Sequence, residues 1–336
     1  MSATSPLAKS VTLHDVAREA GVSLITASRA LSNPDVVSKA TIERVIRAVE
    51  ATGYVPNLLA GGLKSKRSMT VAALVPVISV PQFLPTVQTL TEELDLAGYQ
   101  LILGQTGYDR ARESALLEAM LSRRVDGIVM AGLLNPERAI ERLRRLRIPV
   151  VETWDLTDRP VDMLVGFSHL KVGSAVAGFF LGRGWRRLAI ATADDQRGAQ
   201  RREGFVSAVG RDVPTARVPA PSTVRSGRQA LSELLARDPA IEAIYCSSDA
   251  LAEGVLIEAR ARGLAVPGQL AVCGFGDADF AAHLEPSLTT VRIDGAQIGR
   301  RAAQMILARC HGQAVDERIV DIGFGIVERG STARTS

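Results

Sequence analysis

The segment from residue 12 to residue 31, TLHDVAREAGVSLITASRAL, most strongly restricts what this chain can fold into. It predicts two short amphipathic helices joined by a tight turn at Gly21, which has access to the left-handed conformation that such a turn uses. Thr12 and Asp15 have the spacing of a capping box, although Asp replaces the usual Glu or Gln. One small apolar face of the first helix is formed by Val16, Ala17 and Ala20.

The second helix is expected to begin after Ser23, whose hydroxyl can accept from the backbone amide of Ile25 or Thr26. Its buried side is predicted to contain Val22, Ala27, Ala30 and Leu31. Its outward side is predicted to contain Leu24, Ile25, Ser28 and Arg29. The pattern is typical of a helix-turn-helix whose second helix enters the major groove of DNA. For two short helices alone, a helical hairpin without a ligand is an equally good interpretation.

A third helix is predicted from about residue 39 to residue 52. Ser38 can cap it, Gly53 ends it, and its apolar positions recur at helical spacing: Ile42, Val45, Ile46 and Val49. Three helices within about fifty residues bury only a small core, so such a module usually belongs to a larger chain. The neighbouring helix therefore favours the helix-turn-helix over the simple hairpin.

The net charge of +4 lies entirely on the N-terminal part of the chain. Residues 1–68 contain nine Lys and Arg against five Asp and Glu, whereas residues 69–336 contain 31 of each sign. A basic module on a neutral chain favours a polyanion such as DNA as the partner of the module, and a different task for the remainder.

The linker after the third helix permits two interpretations. Pro56 stands where a short helix could begin, and its apolar face would contain Leu58, Leu59 and Leu63. The adjacent Gly61 and Gly62 each weaken a helix by roughly 1 kcal/mol relative to Ala. The segment is either a flexible tether, or it folds only against a partner chain and DNA, with Leu63 inserted between base steps.

From Met69 onward, short apolar runs alternate with amphipathic helices. Strands are predicted at residues 71–77, 100–105, 127–131, 150–153, 163–166, 187–192, 216–219, 243–247 and 271–275. Helices are predicted between them, for example at residues 85–97, 110–122, 137–146, 170–183, 200–209, 225–236 and 250–262. This alternation is typical of parallel sheets with crossover helices, in which ligands bind at the carboxyl ends of the strands. A length of about 260 residues suits two such sheets.

Nucleotide-binding and enzymatic functions are disfavoured because the sequence lacks the motifs that indicate them. No glycine-rich phosphate loop follows the first strand, where Pro76, Pro81 and Pro85 stand instead, so no cofactor is expected. None of the four histidines, His14, His169, His283 and His311, belongs to a catalytic or metal-binding motif. Asp194 and Asp195 could be paired carboxylates, but such residues after a strand are more often loop or capping residues. We therefore expect no enzyme.

The cellular setting is also predicted from absences. The three cysteines, Cys246, Cys273 and Cys310, are an odd, unclustered set in apolar surroundings, which indicates buried thiols in a reducing compartment. The first ten residues are polar and lack the apolar region of a signal peptide. No apolar run approaches the ~18 residues of a membrane span. A cytoplasmic protein without membrane contact is expected.

Three motifs carry a resemblance to a known family: VTLHDVA with AGVS at residues 11–17 and 20–23, YVPN at residues 54–57, and PSLTTV at residues 286–291. Over nearly its full length the chain resembles the lac repressor family of bacterial transcription regulators. This resemblance implies a small all-α helix-turn-helix domain at residues 10–56, a hinge at residues 57–68, and an α/β periplasmic-binding-protein-like core at residues 69–330 with two parallel-sheet subdomains. The segments VETWDLT at residues 151–157 and DMLVGFSH at residues 162–169 resemble repressors of gluconate-utilisation operons.

The resemblance assigns the DNA contacts. Leu24, Ile25 and Arg29 lie where the family contacts base edges, and Arg29 can donate twice to guanine while the two apolar residues can contact only a thymine methyl. The expected phosphate contacts are Thr12, Ser23, Thr26 and Ser28. Leu63 matches the leucine that enters the minor groove, and Lys64 follows it as a minor-groove or phosphate contact. Two departures are Ser32 in place of the usual Asn, and Gly61–Gly62 in place of better helix formers, which makes folding of the hinge costlier.

The resemblance also assigns an effector pocket. Arg201 lies at the family's effector-binding arginine, with Arg197 one helical turn earlier. Gly276 occupies a position where many relatives have an aspartate, and losing that carboxylate beside a retained arginine favours an anionic sugar acid. The remaining predicted pocket residues are Trp154, Asp249, Asp277, His169 and Phe83, with Gln82 as a weaker one. Alternative roles are a core residue for Trp154, a helix cap for His169 and an N-cap for Asp249.

The predicted function is a repressor whose affinity for a palindromic operator is controlled by a small sugar acid, gluconate or 6-phosphogluconate. The family implies a homodimer. The residues after Gly330 contain no heptad pattern of the kind that would indicate a tetramer, which favours a dimer. Two alternatives stay open: the same type of regulator with a neutral sugar or nucleobase as effector, or a sugar-binding protein without a DNA function.

Overall fold

A computed structural model describes residues 11–55, 67–134 and 137–333 of the chain. The chain forms two compact units that meet in sequence between Ser68 and Met69. The predicted hinge contacts Leu63 and Lys64, together with Pro56 and the Gly61–Gly62 pair, lie outside the described residues.

The N-terminal unit contains α1 (Leu13–Glu19), α2 (Leu24–Ser32) and α3 (Lys39–Thr52). Its small core consists of Val16, Ala20, Ala30, Val45 and Ala48. Gly21 has a φ of +60° in the turn between α1 and α2, as the helix-turn-helix pattern predicts. The hydroxyl of Ser23 caps α2 by accepting from the amide of Thr26 at 3.1 Å.

Three details of this unit refine or differ from the prediction. The carboxylate of Asp15 accepts from the backbone amide of Thr12 at 3.0 Å and from its hydroxyl at 2.7 Å. The hydroxyl of Ser38 lies 3.0 Å from that of Thr41 and caps no amide of α3. Ile46, expected on the buried face, is 47% exposed, because α3 turns the small Ala48 inward instead.

The larger unit is built on two six-stranded sheets. The first consists, in spatial order, of β11 (Ile319–Asp321), β5 (Met163–Gly166), β4 (Val150–Thr153), β3 (Gly127–Ala131), β1 (Thr70–Val75) and β2 (Gln100–Gln105), and all its pairs are parallel. The second consists of β12 (Gly325–Val327), β10 (Thr289–Arg292), β9 (Ala271–Phe275), β8 (Ala243–Cys246), β6 (Leu188–Ala193) and β7 (Thr215–Val218). Only the β10–β12 pair is antiparallel.

Eight helices of the described residues cover these sheets. Those of the first subdomain are α4 (Leu84–Leu96), α5 (Arg110–Ser122), α6 (Glu137–Leu146) and α11 (Gly295–Cys310). Those of the second are α7 (His169–Gly182), α8 (Gln196–Val209), α9 (Val224–Arg237) and α10 (Asp249–Ala261). The chain passes between the subdomains three times, after β5, after β10 and between β11 and β12.

Most predicted elements occur within one or two residues of their expected bounds, with two kinds of exception. Helix α8 begins at Gln196, four residues before the predicted start, because Asp195 accepts from the amide of Gly198 and caps it there. The elements after residue 275, β10, α11, β11 and β12, were not predicted. Strands β11 and β12 have three residues each, too few for an alternating pattern to emerge.

Helices α7 and α8 contact each other backbone to backbone. A Cβ atom at Gly173 would lie 1.9 Å from the carbonyl oxygen of Arg201, and one at Gly204 would lie 2.0 Å from that of Leu170. The two glycines thus allow a close approach that fixes the position of α8, the helix that carries Arg197 and Arg201.

We expect Gly173→Ala to lower the free energy of unfolding by roughly 1–3 kcal/mol, because overpacking must push the helices apart. Gly178→Ala is a matched control in the same helix, since a Cβ atom there meets nothing within 4 Å. It should leave stability unchanged or raise it by up to ~1 kcal/mol through helix propensity. Urea unfolding measures both; equal stabilities of the two variants would contradict this account.

Candidate functional site

The outward side of α2 presents the residues expected to contact base edges. Ile25 is 64% exposed and Leu24 is 36% exposed. Ser28 and Arg29 are also exposed on this side, while Ala27 and Ala30 turn into the core. The arrangement provides one guanidinium group and two apolar side chains on one helical surface, which is the chemistry that major-groove recognition uses.

Three of the expected phosphate contacts, Thr12, Ser23 and Thr26, lie at the first turns of α1 and α2, and Ser28 lies farther along α2. Thr12 donates its hydroxyl proton to Asp15, and the hydroxyls of Ser23 and Thr26 lie 2.8 Å apart. Part of their hydrogen-bonding capacity is therefore used in capping, although each hydroxyl oxygen has further lone pairs or a proton to offer. Helix N-termini of this kind favour phosphate oxygens.

A cavity of about 290 Å³ lies between the two subdomains of the larger unit, at the carboxyl ends of the strands. A second cavity of about 230 Å³ adjoins it, and Gln82 lines both. Phe83, Arg197 and Arg201 line the first cavity, whereas Asp249 and Gly276 line the second. We call the two cavities together the effector cleft.

Arg201 is the buried cation of the effector cleft, with 5% of its surface exposed. Its Nη1 lies 2.9 Å from Nδ1 of His169, and its Nη2 donates to the carbonyl oxygen of Ser247 at 3.1 Å. The guanidinium carbon lies 4.2 Å from the ring centroid of Phe275. All these partners are neutral, and Nε is buried without a hydrogen-bond partner among the described residues.

His169 holds Arg201 in position and joins the subdomains. Because its Nδ1 accepts from Arg201, Nε2 must carry the proton, and it donates to the carbonyl oxygen of Trp154 at 2.9 Å. Burial, followed by the charges of Arg201 and Arg197, lowers the pKa of His169 well below its usual value. A neutral imidazole therefore links Arg201 of the second subdomain to Trp154 of the first.

Arg197 makes a second bridge across the effector cleft. Its Nε donates to the carboxylate of Asp155 at 2.9 Å, and both side chains are at most 15% exposed. Its guanidinium carbon lies 5.5 Å from the ring centroid of Phe83, and its Nη2 is buried without a hydrogen-bond partner among the described residues.

The first cavity is lined by two arginines, and one N–H group of each, at Nε of Arg201 and at Nη2 of Arg197, is buried behind the cavity surface without a hydrogen-bond partner among the described residues. A buried donor without a partner costs free energy, and a carboxylate is the acceptor that an arginine pair binds best. The site is chemically suited to an anionic ligand group.

Three predicted pocket residues lie elsewhere. Trp154 is 1% exposed, packs edge-on between Phe83 and Phe167, and donates its indole N–H to Thr86 at 3.1 Å. It lines neither cavity, so the core alternative describes its side chain. The carboxylate of Asp277 binds Arg292 and Arg329 and also lies outside both cavities. His169 stands behind Arg201 and lines neither cavity.

The capping alternatives for His169 and Asp249 are wrong. Ser168 and Ser248 are the N-caps, accepting from the amides of Lys171 and Leu251, and His169 and Asp249 are the first helical residues that follow them. A side chain at the first helical position points back past the helix end, which brings both residues toward the effector cleft.

Asp249 is 4% exposed. Its carboxylate accepts from the hydroxyl of Thr290 at 2.5 Å and from the amide of Ala278 at 2.7 Å. Burial outweighs these bonds and raises the pKa of Asp249 to about 6. Above the ordinary pKa of 3.8, the unfolded chain has lost the proton of Asp249, whereas the folded protein keeps this proton up to a pH of about 6.

From this pKa we predict that stability falls as pH rises from about 4 to about 6, since only the folded state binds the proton in that window. The contribution is at most about 3 kcal/mol, at 1.36 kcal/mol per pKa unit. Asp249→Asn keeps both contacts, with the amide oxygen toward Ala278 and the NH₂ toward Thr290, and should remove this part of the pH dependence. Urea unfolding of both proteins at pH 4 to 7 measures it, and parallel pH profiles would contradict the assignment.

Other residues that line the first cavity were not predicted: Thr106, Gly107, Tyr108, Asp109, Glu113, Gly132, Asp155, Asp194, Asp195 and Gln196. Most of them follow β2, β3, β4 or β6 by a few residues. The rule that ligands bind at the carboxyl ends of parallel strands could have found them from the predicted strands alone.

The thiols of Cys246 and Cys273 are buried as expected, whereas Cys310 is only half-buried and its Sγ lies 3.4 Å from the carbonyl oxygen of Asp126.

Within residues 11–55, 67–134 and 137–333, no group of His, Cys, Asp and Glu has the arrangement of a metal site. No helix of that part of the chain has the length and apolar character needed to cross a bilayer.

Comparison with known proteins identifies the family. Residues 12–57 match the model described as bacterial regulatory proteins of the lacI family, and residues 177–332 match that of a periplasmic binding protein-like domain. The HTH-type transcriptional regulator GntR of Pseudomonas aeruginosa is 37% identical over 330 residues, which cover 96% of this chain and 95% of that protein. This chain belongs to the lacI family. It is a DNA-binding transcriptional regulator and not an enzyme.

Other relatives of this lacI-family chain agree. The HTH-type transcriptional regulator IdnR of Escherichia coli is 32% identical, covering 94% of this chain and 97% of that protein. The crystal structure of a LacI-family regulator from Silicibacter pomeroyi has a TM-score of 0.91 and 33% identity, covering 96% of this chain and all of that one. The predicted fold, a helix-turn-helix module plus a two-subdomain α/β core, is confirmed. Members of the family bind operator DNA and small-molecule effectors as dimers.

Proposed function

We propose that this lacI-family regulator represses a sugar-acid utilisation operon as a cytoplasmic homodimer, and that gluconate or a close relative in the effector cleft controls its affinity for a palindromic operator. The observation that carries the proposal is the pair of arginines, Arg197 and Arg201, that line one cavity, with Arg201 in no ion pair among the described residues. A ligand carboxylate in this cavity would place a negative charge beside both guanidinium groups, whereas a neutral sugar or a nucleobase would leave the buried charge of Arg201 without an anion.

Two further features support the sugar-acid class. Gly276 lines the second cavity, so this position adds no further carboxylate to that of Asp249 there. The relatives named GntR and IdnR cover nearly the whole chain, and the segments at residues 151–157 and 162–169 resemble gluconate-operon repressors.

Coupling between ligand and DNA follows from the two bridges of the effector cleft. Asp155–Arg197 and Trp154–His169–Arg201 connect the subdomains, so a ligand that binds the two arginines changes the free energy of closure. In a dimer this closure would alter the separation of the two hinges, which we propose at residues 57–68 with Leu63 in the minor groove. Two sites coupled through one two-state element are the basis of allosteric control.

Thermal unfolding of the full chain with gluconate, 6-phosphogluconate, glucose and adenine tests the proposal. A ligand at about 100 times its Kd stabilises the protein by about 2.7 kcal/mol, so the shifts in Tm rank the ligands. We expect at least one sugar acid to shift the Tm and to change the affinity for an operator selected from random DNA duplexes. Stabilisation by glucose or adenine alone would contradict the sugar-acid proposal, and salt-insensitive DNA binding would contradict operator contact through phosphates.

A further inference from the structure

The first cavity of the effector cleft is negatively charged despite its two arginines. Its lining contains the carboxylates of Asp109, Glu113, Asp155, Asp194 and Asp195 against the guanidinium groups of Arg197 and Arg201, a net formal charge of −3. A site that binds an anion with a negative lining is unusual. The position of each charge decides which anions can enter.

The cations lie at the inner end of the cavity. Arg201 is 5% exposed, and Arg197 is already paired with the buried Asp155, so among the described residues the inner end has one guanidinium without an ion-pair partner. The half-buried Glu113 accounts for the remaining negative charge of the lining. This excess of one positive charge matches one ligand carboxylate. It provides nothing for a second anionic group.

The outer end of the cavity carries carboxylates of both subdomains. Asp109 and Asp194 are exposed there and Asp195 is half-buried, near Tyr108, which is 49% exposed. None of the ion pairs between described residues involves Asp109, Asp194 or Asp195. These three charges are therefore not neutralised by a neighbouring base of the described side chains.

The outer carboxylates are held in place. Asp109 accepts from the amide of Ala111 at 2.8 Å, and Asp195 accepts from the amide of Gly198 at 2.7 Å, as the caps of α5 and α8. After burial, the charge of Asp195 is the largest cause that raises the pKa of the Tyr108 phenol. Because Tyr108 belongs to the first subdomain and Asp195 to the second, this charge acts across the mouth of the cleft.

Carboxylate oxygens accept hydrogen bonds from hydroxyl groups and repel phosphate. We propose that the effector cleft selects a sugar acid with one negative charge and free hydroxyls at its far end, and that Asp109, Asp194 and Asp195 exclude phosphorylated sugar acids. This inference rests on the proposed function and narrows it: the effector is a monoanionic polyhydroxy acid such as gluconate, and 6-phosphogluconate is rejected.

Isothermal titration of the full chain with gluconate and with 6-phosphogluconate tests the inference. We expect gluconate to bind more tightly by at least about thirtyfold at low salt, and the difference to shrink at ~1 M salt, where charge interactions are screened within about 3 Å. The double variant Asp194→Asn/Asp195→Asn keeps the shapes, and Asn at position 195 can still cap α8. It should raise the affinity for 6-phosphogluconate relative to that for gluconate by about tenfold, because the lost carboxylates repel the phosphate more strongly than they repel the single carboxylate at the inner end.

Asp212→Asn is the matched control, because Asp212 is exposed, follows α8 and lines neither cavity. It removes one charge of the same sign and should leave the ratio of the two affinities unchanged. Equal affinity of the natural chain for both sugar acids, or an unchanged ratio in the double variant, would overturn the inference while leaving the proposed function intact. Binding of glucose without either sugar acid would overturn the proposed function itself.

Discussion

Arg201→Ala should abolish the response to gluconate at concentrations that saturate the natural chain, with roughly a ten- to 150-fold loss of affinity, because a hydrogen bond to a charged group contributes ≈1.5–3 kcal/mol. The variant removes a buried guanidinium of the effector cleft that forms no ion pair with any carboxylate of the described residues. Operator binding should stay within about threefold of the natural value, since Arg201 lies in the larger unit and not on the DNA-contacting helix. Calorimetry with gluconate and anisotropy titrations with operator DNA measure the two effects separately.

Two further variants make the Arg201 result interpretable. Arg201→Lys keeps the charge but loses the planar fork that contacts His169 and Ser247 together, so its affinity should be intermediate. Arg225→Ala removes an exposed arginine from the surface of α9 and should change nothing. Urea unfolding shows whether the Ala variant remains folded. An unchanged gluconate affinity in folded Arg201→Ala would contradict the assignment of the effector cleft.

Arg29→Ala should weaken specific operator binding by roughly 1–3 kcal/mol and relax the base preference at one position, while binding to random DNA stays nearly unchanged. Arg29 is exposed on α2 beside Leu24 and Ile25, which lack hydrogen-bonding groups. It is therefore the side chain on this surface that can donate twice to a guanine. Anisotropy titrations with a selected operator and a scrambled duplex, at one fixed salt concentration, give both affinities.

Arg44→Ala provides the control for Arg29. Arg44 is an exposed arginine of α3 in the same unit, so its removal changes the charge of the module without touching α2. Any effect of Arg44→Ala should be equal on operator and scrambled DNA. If Arg29→Ala also weakens both duplexes equally, Arg29 contacts phosphate and not a base edge.

The local structure followed from local rules in most of the chain. Gly21 and Ser23 predicted the turn and the cap of α2, and the strands from β2 to β5 were found at their observed bounds, because these patterns depend on neighbours in sequence. The last four elements were missed. Helix α11 has Ile298, Ala302 and Met305 at helical spacing, so the sequence contained the pattern that predicts it. The short strands β11 and β12 form by pairing with β5 and β10, which are distant in sequence, so no local pattern predicts them.

By itself, the sequence determined the two-unit organisation, the helix-turn-helix and the α/β core, because motifs and periodicity are local properties, and the family resemblance added Arg201 as the residue to examine. Only the tertiary structure decided what surrounds Arg201. His169, Ser247 and Phe275 come from three separate elements, and Asp155 reaches Arg197 from the other subdomain. The same packing buried Trp154 in the core and brought the carboxylates of Asp109 and Asp194 to one cavity. Such long-range contacts depend on how helices and sheets pack, and spacing along the chain does not encode them.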